Sequence, residues 1–241
     1  MSGDHFREIY RKHGKRYQAL IEAEDADGNL LPALEQIVAF KGKRVLDVGS
    51  GTGRLPMILR GSGADIVALD LYRDMLDVGF ANVLEFASGK IHDKFQSLGF
   101  LQADLREIPL VAGWADVVIA GWAIGHFVGW YGDDWEAQAR HGLTAMQRAA
   151  RPDGTLIILE TMGTGVVEAG PPTPGLAAYY GWLEGLGFER RVVSTDYDFG
   201  SVERAAVLCK FFFGAELAAK VRSRGWSRVR EWTGIWAKRS S

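Results

Sequence analysis

Val45-Leu46-Asp47-Val48-Gly49-Ser50-Gly51-Thr52-Gly53 is the stretch that decides the fold. A short apolar strand runs straight into a turn with glycine at every second position. Such a turn lets the backbone approach a ligand and aims amide donors at it, which suits phosphates or an amino-acid carboxylate. A dinucleotide turn, G-x-G-x-x-G, would place its third glycine at position 54, where Arg54 stands instead. A P-loop ends in G-K-[ST], and no such tripeptide occurs in the chain.

On either side of this turn the pattern alternates. Residues 44–48 read as a buried strand and 55–60 as a helix, with Pro56 tolerable in its first turn. Residues 66–70 read as a strand, 75–86 as a helix, 100–103 as a weak strand and 116–120 as a strong one. Residues 135–150 form an amphipathic helix that Asp133 or Asp134 is placed to cap, followed by a strand at 156–160. A helix at 176–186 ends at Gly187. This rhythm predicts parallel βαβ units with helices on both faces of the sheet. Past it, 188–198 looks like a strand, 201–224 like helices broken at Gly214, and 228–238 like a last strand. Residues 163–175 are rich in Gly and Pro and read as a loop placed to act as a lid. Before the first strand, Phe6, Ile9 and Tyr10 share one helical face, and Leu30, Leu34 and Ile37 another. Asn29 is placed to cap the second of these helices.

Composition bounds the function. The 241 residues are 47% hydrophobic and 24% charged, with a net charge of -2, which suits a globular domain and argues against a strongly basic nucleic-acid surface. One cysteine, Cys209, leaves no internal disulfide and no cysteine metal or iron–sulfur cluster, and no metal is expected. No apolar run reaches the roughly 20 residues of a membrane span, and residues 1–20 do not resemble a signal peptide. A cytoplasmic protein is expected, with no nucleic-acid or membrane partner.

The D-x-G-x-G-x-G pattern of Asp47, Gly49, Gly51 and Gly53 resembles the S-adenosylmethionine (SAM) motif of class I methyltransferases. More of that family's layout follows in order. Asp70 ends the second strand and resembles the acid that accepts both ribose hydroxyls. Asp104 follows the third and resembles the acceptor for the adenine amino group. The resemblance implies an α/β, doubly wound, seven-stranded sheet, mostly parallel with one antiparallel strand at 228–238 beside 188–198. Residues 1–40 would be a helical cap, and 41–241 the SAM-binding methyltransferase domain with a helical insertion at 201–224. The implied cofactor is SAM, held by Asp47, Gly49, Ser50, Gly51, Gly53, Asp70, Leu71, Asp104, Leu105 and Gly121.

In this family the segment after the fourth strand lies beside the transferred methyl. Here, from Gly121 to Tyr131, it is aromatic and lacks the N/D-P-P box of base-directed enzymes and the paired glutamates of protein-arginine enzymes. A small-molecule acceptor is therefore expected, with Tyr17, Trp122, Tyr131 and Glu160 facing it. His126 is the first candidate for a general base and Glu24 the second. The competing readings are a nicotinamide-dependent oxidoreductase and a SAM-binding protein without catalysis.

Overall fold

Strand β1 (Arg44–Val48) carries the decisive stretch, and its Val45, Leu46 and Val48 are fully buried. Burial on both faces is what an interior parallel strand demands of its sequence. The computed structural model describes residues 3–87 and 97–240; the expected limits at Met1 and Ser241 lie outside them.

Six further strands join β1 in one sheet: β2 (Asp65–Asp70), β3 (Ser97–Gln102), β4 (Ala115–Gly121), β5 (Ala150–Thr164), β6 (Glu189–Ser194) and, last in sequence, β9 (Glu231–Arg239). The order is β3-β2-β1-β4-β5-β9-β6. β9 runs antiparallel to both β5 and β6, while the other pairs are parallel. The expected seven-stranded topology is therefore present. The order reverses between β1 and β4, and ligands of such sheets bind outside the carboxyl ends of the strands at that point.

Alternate residues of each strand feed opposite faces. Val45, Val117, Ile119 and Ile157 pack with α3 (Leu30–Glu35) and α4 (Arg54–Leu59). Leu46, Val118, Leu156 and Ile158 pack with α6 (His126–Tyr131), α7 (Trp135–Ala149) and α8 (Pro174–Gly185). Helix α5 (Arg73–Ala87) links β2 to the segment before β3. The first helices, α1 (Gly3–Lys12) and α2 (Gly14–Ile21), lie over the carboxyl edge. Ile9 and Tyr10 meet Met75 of α5, and Leu20 joins Ala205, Leu208 and Val221 of α9 (Val202–Phe212) and α10 (Ala215–Arg224).

Several local expectations are corrected. The strand read over 188–198 ends at Ser194 and resumes as β7 (Tyr197–Asp198). That over 228–238 is likewise split into β8 (Arg228–Val229) and β9, and β7 pairs with β8 outside the main sheet. Asp196 interrupts the ladder, because its carboxylate accepts from the Ser194 hydroxyl at 2.7 Å and the Glu231 N–H at 3.1 Å. β5 is far longer than 156–160 and absorbs Gly163 and Thr164 from the expected loop. Asn29 does not cap α3. Asp25 does, accepting from the N–H groups of Asn29 at 2.9 Å and Leu30 at 3.1 Å. Asp134 precedes α7 but makes no cap bond, its carboxylate being taken by the Gln138 side chain at 2.7 Å.

Candidate active site

Gly49, Gly51 and Gly53 sit at φ of 74°, 56° and 82°, a region costly for any residue with a Cβ. A Cβ on Gly49 would lie 2.5 Å from that of Ala123, so only glycine lets the turn meet the exit of β4. The turn is fixed to β2 by bonds from the N–H groups of Gly49 and Ser50 to the Leu69 carbonyl, at 2.8 and 2.9 Å. Asp70 ties the two loops together. Its Oδ2 accepts from the Gly51 N–H and its Oδ1 from the Tyr72 N–H, both at 2.8 Å.

A cavity opens between these loops and the start of α6. Every residue assigned to the cofactor from sequence lines it except Gly53, which instead starts α4 and packs on Gly79 of α5. Asp47 is 1% exposed, and neither of its carboxylate oxygens has a partner. Burial, and then the charge of Asp70, push its carboxyl well above the usual range. The hydroxyls of Ser50 and Thr52 are also buried and unpartnered. Buried polar groups are nearly always paired, so this cluster marks a place for a polar ligand. It fits the amino-acid end of SAM, whose ammonium suits Asp47. Asp104 is less free than sequence suggested. Arg106 forks onto it at 2.6 and 3.0 Å, and although burial raises the carboxyl, these bonds hold it below its ordinary value.

A second cavity of about 640 Å³ adjoins the first, enclosed by α1, α2, α6, the end of β5, the loop after it, α9 and α10. Tyr10, Tyr17, Arg54, Trp122, His126 and Trp130 line both cavities. Glu24 and Glu160 line the second, whereas Tyr131 lines only the first, 5.4 Å from the Arg106 guanidinium. Trp122 holds φ of 51°, a strained conformation for a bulky residue that costs roughly 1–3 kcal/mol. That strain sets its indole 3.9 Å from the guanidinium of Arg54. Arg54 in turn pairs with Glu24 at 2.7 Å, their side chains only 11% and 3% exposed.

His126 Nε2 and the Tyr10 hydroxyl share a hydrogen bond at 2.7 Å, and the ring stacks on Trp130. Burial lowers its pKa to about 4, so the ring is neutral at physiological pH. His126→Ala leaves the buried Tyr10 hydroxyl without its hydrogen-bond partner, a loss of about 1–3 kcal/mol. Urea denaturation should show that loss shrinking when Tyr10→Phe is added; equal losses in both backgrounds would mean the bond carries no stability.

Glu160 ends on the cavity rather than on an arginine. Its Oε1 accepts from the Gly125 N–H at 2.7 Å and from the Tyr179 hydroxyl. Burial raises its carboxyl to about 8. Glu231, which sequence reading passed over, has one oxygen bonded to the Thr161 hydroxyl at 2.7 Å and the other buried without a partner. Burial, and then Glu24, raise it to about 8 as well. Its signal in the sequence is an acid at the head of an otherwise apolar and aromatic strand. Arg54 had been read only as an absent glycine.

These shifts fix a pH dependence. A carboxyl whose folded pKa exceeds its unfolded value contributes stability that is present below the unfolded pKa and is lost as pH rises through the folded one. Glu160 and Glu231 rise from 4.5 to about 8, so stability should fall as pH rises from about 4.5 through 8, most steeply above about 6.5. His126 opposes this only below its ordinary 6.5. Melting temperatures across that window, compared with Glu160→Gln, check it: the variant should show a shallower decline, and an equal slope would contradict the assignment.

A family model described as a methyltransferase domain matches residues 46–158. The demethylmenaquinone methyltransferase of Mycolicibacterium vanbaalenii is 30% identical over 190 residues, covering 78% of this chain and 69% of that protein.

The chain belongs to the class I SAM-dependent methyltransferase family.

The demethylmenaquinone methyltransferase of Clavibacter sepedonicus is 29% identical over 124 residues, 52% of this chain, and that match spans 43% of its own length. A SAM-dependent methyltransferase of Aquifex aeolicus shares the fold, with a TM-score of 0.53 at 17% identity over 87% of this chain and 88% of that one. The matched family segment holds the glycine turn, Asp70, Asp104 and the segment after β4. Glu24, Glu160 and Glu231, on the second cavity, lie outside it. The methyl donor is thus a family property.

Proposed function

We propose that this protein transfers a methyl group from SAM to a small molecule enclosed in the larger cavity. The observation that carries the reading is the shared wall: six side chains line both the glycine-turn cavity and the 640 Å³ cavity, so two ligands meet there. Bound at the turn, SAM supplies an activated methyl group on a sulfonium. Asp47 would hold its ammonium, Asp70 its ribose, and Gly49, Ser50 and Gly51 its backbone-facing edge. Asp104 would take the adenine only in competition with Arg106. Leu71, Leu105 and Gly121 would form the apolar and close-packed sides.

The residues of this chain position more than they react. Trp122 and Trp130 keep water from the meeting point, and aromatic faces tolerate nearby positive charge. Tyr17 and the other cap residues roof the acceptor. Holding reactants in line at about 3–3.5 Å supplies much of the rate enhancement in such transfers. His126, neutral and engaged by Tyr10, sets the position of that hydroxyl. Glu24, locked to Arg54, steadies the wall. Glu160 is then the group suited to accept a proton near neutral pH, since a base works best with a pKa close to the working pH.

Calorimetry tests the reading. SAM or S-adenosylhomocysteine should bind with no comparable binding of NAD, and mass spectrometry of a panel of small acceptors should show a gain of one methyl. Tighter binding of a nicotinamide nucleotide than of SAM would refute it.

A further inference from the structure

The larger cavity has a charge pattern that narrows its ligand. Among the described residues its one deeply set cation is Arg54, whose Nη1 pairs with Glu24 while its Nη2 is buried without a hydrogen-bond partner. Lys220, at its edge, donates to the Gly165 carbonyl at 2.7 Å. Two buried carboxyls remain without a cationic partner. Glu160 is 4% exposed, with only the Gly125 N–H and the Tyr179 hydroxyl as donors. Glu231 is 2% exposed, with the Thr161 and Thr164 side chains as its donors and one oxygen left without a close hydrogen bond. Around them stand the rings of Trp122, Trp130, Tyr197 and Phe212.

We propose that the methyl acceptor is a small organic amine, entering as its ammonium form and seated between the Glu231 and Glu160 carboxyls inside the aromatic walls of this cavity. The inference rests on the methyltransferase reading and names the substrate class of the same site. Each part of the lining favours a cation. A buried carboxylate is costly until an opposite charge or donor meets it, and an ammonium supplies both. Ring faces attract the same charge. An anionic ligand would hold both carboxyls protonated, whereas an ammonium lets them ionise against an opposite charge.

The ammonium loses one proton to a carboxylate of the pair. The freed nitrogen lone pair forms the N–C bond as the C–S bond of the donor breaks, its electron pair staying on sulfur. The products are the methylated ammonium, S-adenosylhomocysteine and one protonated carboxyl, which returns its proton to solvent. Glu231 is the anchor and Glu160, between Gly125 and the cavity, the proton acceptor. A carboxyl raised by burial is a better match to an ammonium than to an alcohol.

Three probes of one skeleton decide it: phenethylamine, 2-phenylethanol and phenylacetate, titrated calorimetrically into protein saturated with S-adenosylhomocysteine. Phenethylamine should bind at least about tenfold tighter than the alcohol, as expected when a charged hydrogen bond is gained, and the acid should bind weakest. Glu231→Gln should cut the amine affinity about tenfold, leaving the alcohol and S-adenosylhomocysteine within about twofold. The proposal is overturned if alcohol or acid binds as well as the amine, if phenethylamine fails to bind at millimolar concentration, or if Glu231→Gln leaves its affinity unchanged. Should that variant not fold, the ranking of the three probes on the unsubstituted protein decides alone. Protein that binds no S-adenosylhomocysteine refutes the methyltransferase reading instead, and the same ranking on ligand-free protein still decides the amine.

Discussion

Arg54→Leu should destabilise the protein by about 3–5 kcal/mol, the usual cost of removing one partner of a buried ion pair. Glu24 would be left with a carboxylate 3% exposed and no cation. Its burial already raises its pKa, and Arg54 supplies the main opposing pull. The Trp122 indole would also lose the guanidinium that lies over it at 3.9 Å. In a domain of this size each kcal/mol moves the melting temperature by roughly 2–4 °C, so a fall of about 10 °C is expected. The double variant Glu24→Gln with Arg54→Leu should recover much of it, because no charge is then stranded. Thermal denaturation of both variants at pH 7 is the measurement. A loss below about 1 kcal/mol in the single variant would mean that water reaches the pair and that the wall between the cavities is not dry.

Asp70→Ala carries the second large effect, on ligand affinity. The Asp70 carboxylate holds the N–H groups of Gly51 and Tyr72 at 2.8 Å. A carboxylate has about four acceptor positions, so both ribose hydroxyls can still be taken. Alanine removes those acceptors and also frees the glycine turn. Charged hydrogen bonds are worth roughly 1.5–3 kcal/mol, which sets a drop in SAM affinity of about tenfold to a hundredfold or more. Asp70→Asn should retain one bond to the turn and lose less. Calorimetry on variants checked for folding by circular dichroism reads the result. Normal SAM binding by folded Asp70→Ala would show that the ribose lies elsewhere.

Residues 45–53 were legible because their chemistry is local. Glycine at 49, 51 and 53 answers a backbone demand that no other residue meets cheaply, and the positive φ at all three shows it. The run of apolar residues in β1, β4 and β5 announced strands buried on both faces, and helical spacing placed α5 and α7 between them. From those two signals a seven-stranded sheet with one antiparallel strand beside β6 could be expected through the family resemblance. Cap geometry was less legible. Asn29 and Asp25 are both good cap residues, and only the path of the chain gave the position to Asp25, whose φ of 57° folds it back onto the Leu30 N–H.

Tertiary structure alone decided how charges pair and which groups stay without partners. Sequence separates Glu24 from Arg54 by a helix and a strand, yet packing of the cap on the carboxyl edge buries them 2.7 Å apart. Tyr10 and His126 are 116 positions apart and become one hydrogen-bonded unit. Asp104 met Arg106, two residues on, in a fork that depends on the loop after β3. Glu231 became a cavity-facing acid because β9 enters between β5 and β6 and Thr161 takes just one of its oxygens. The sequence by itself determined the sheet strands and the glycine turn, since both follow from neighbouring residues and the strand period. The charges of the second cavity follow from long-range burial, which alone sets what a charge costs and what it can bind.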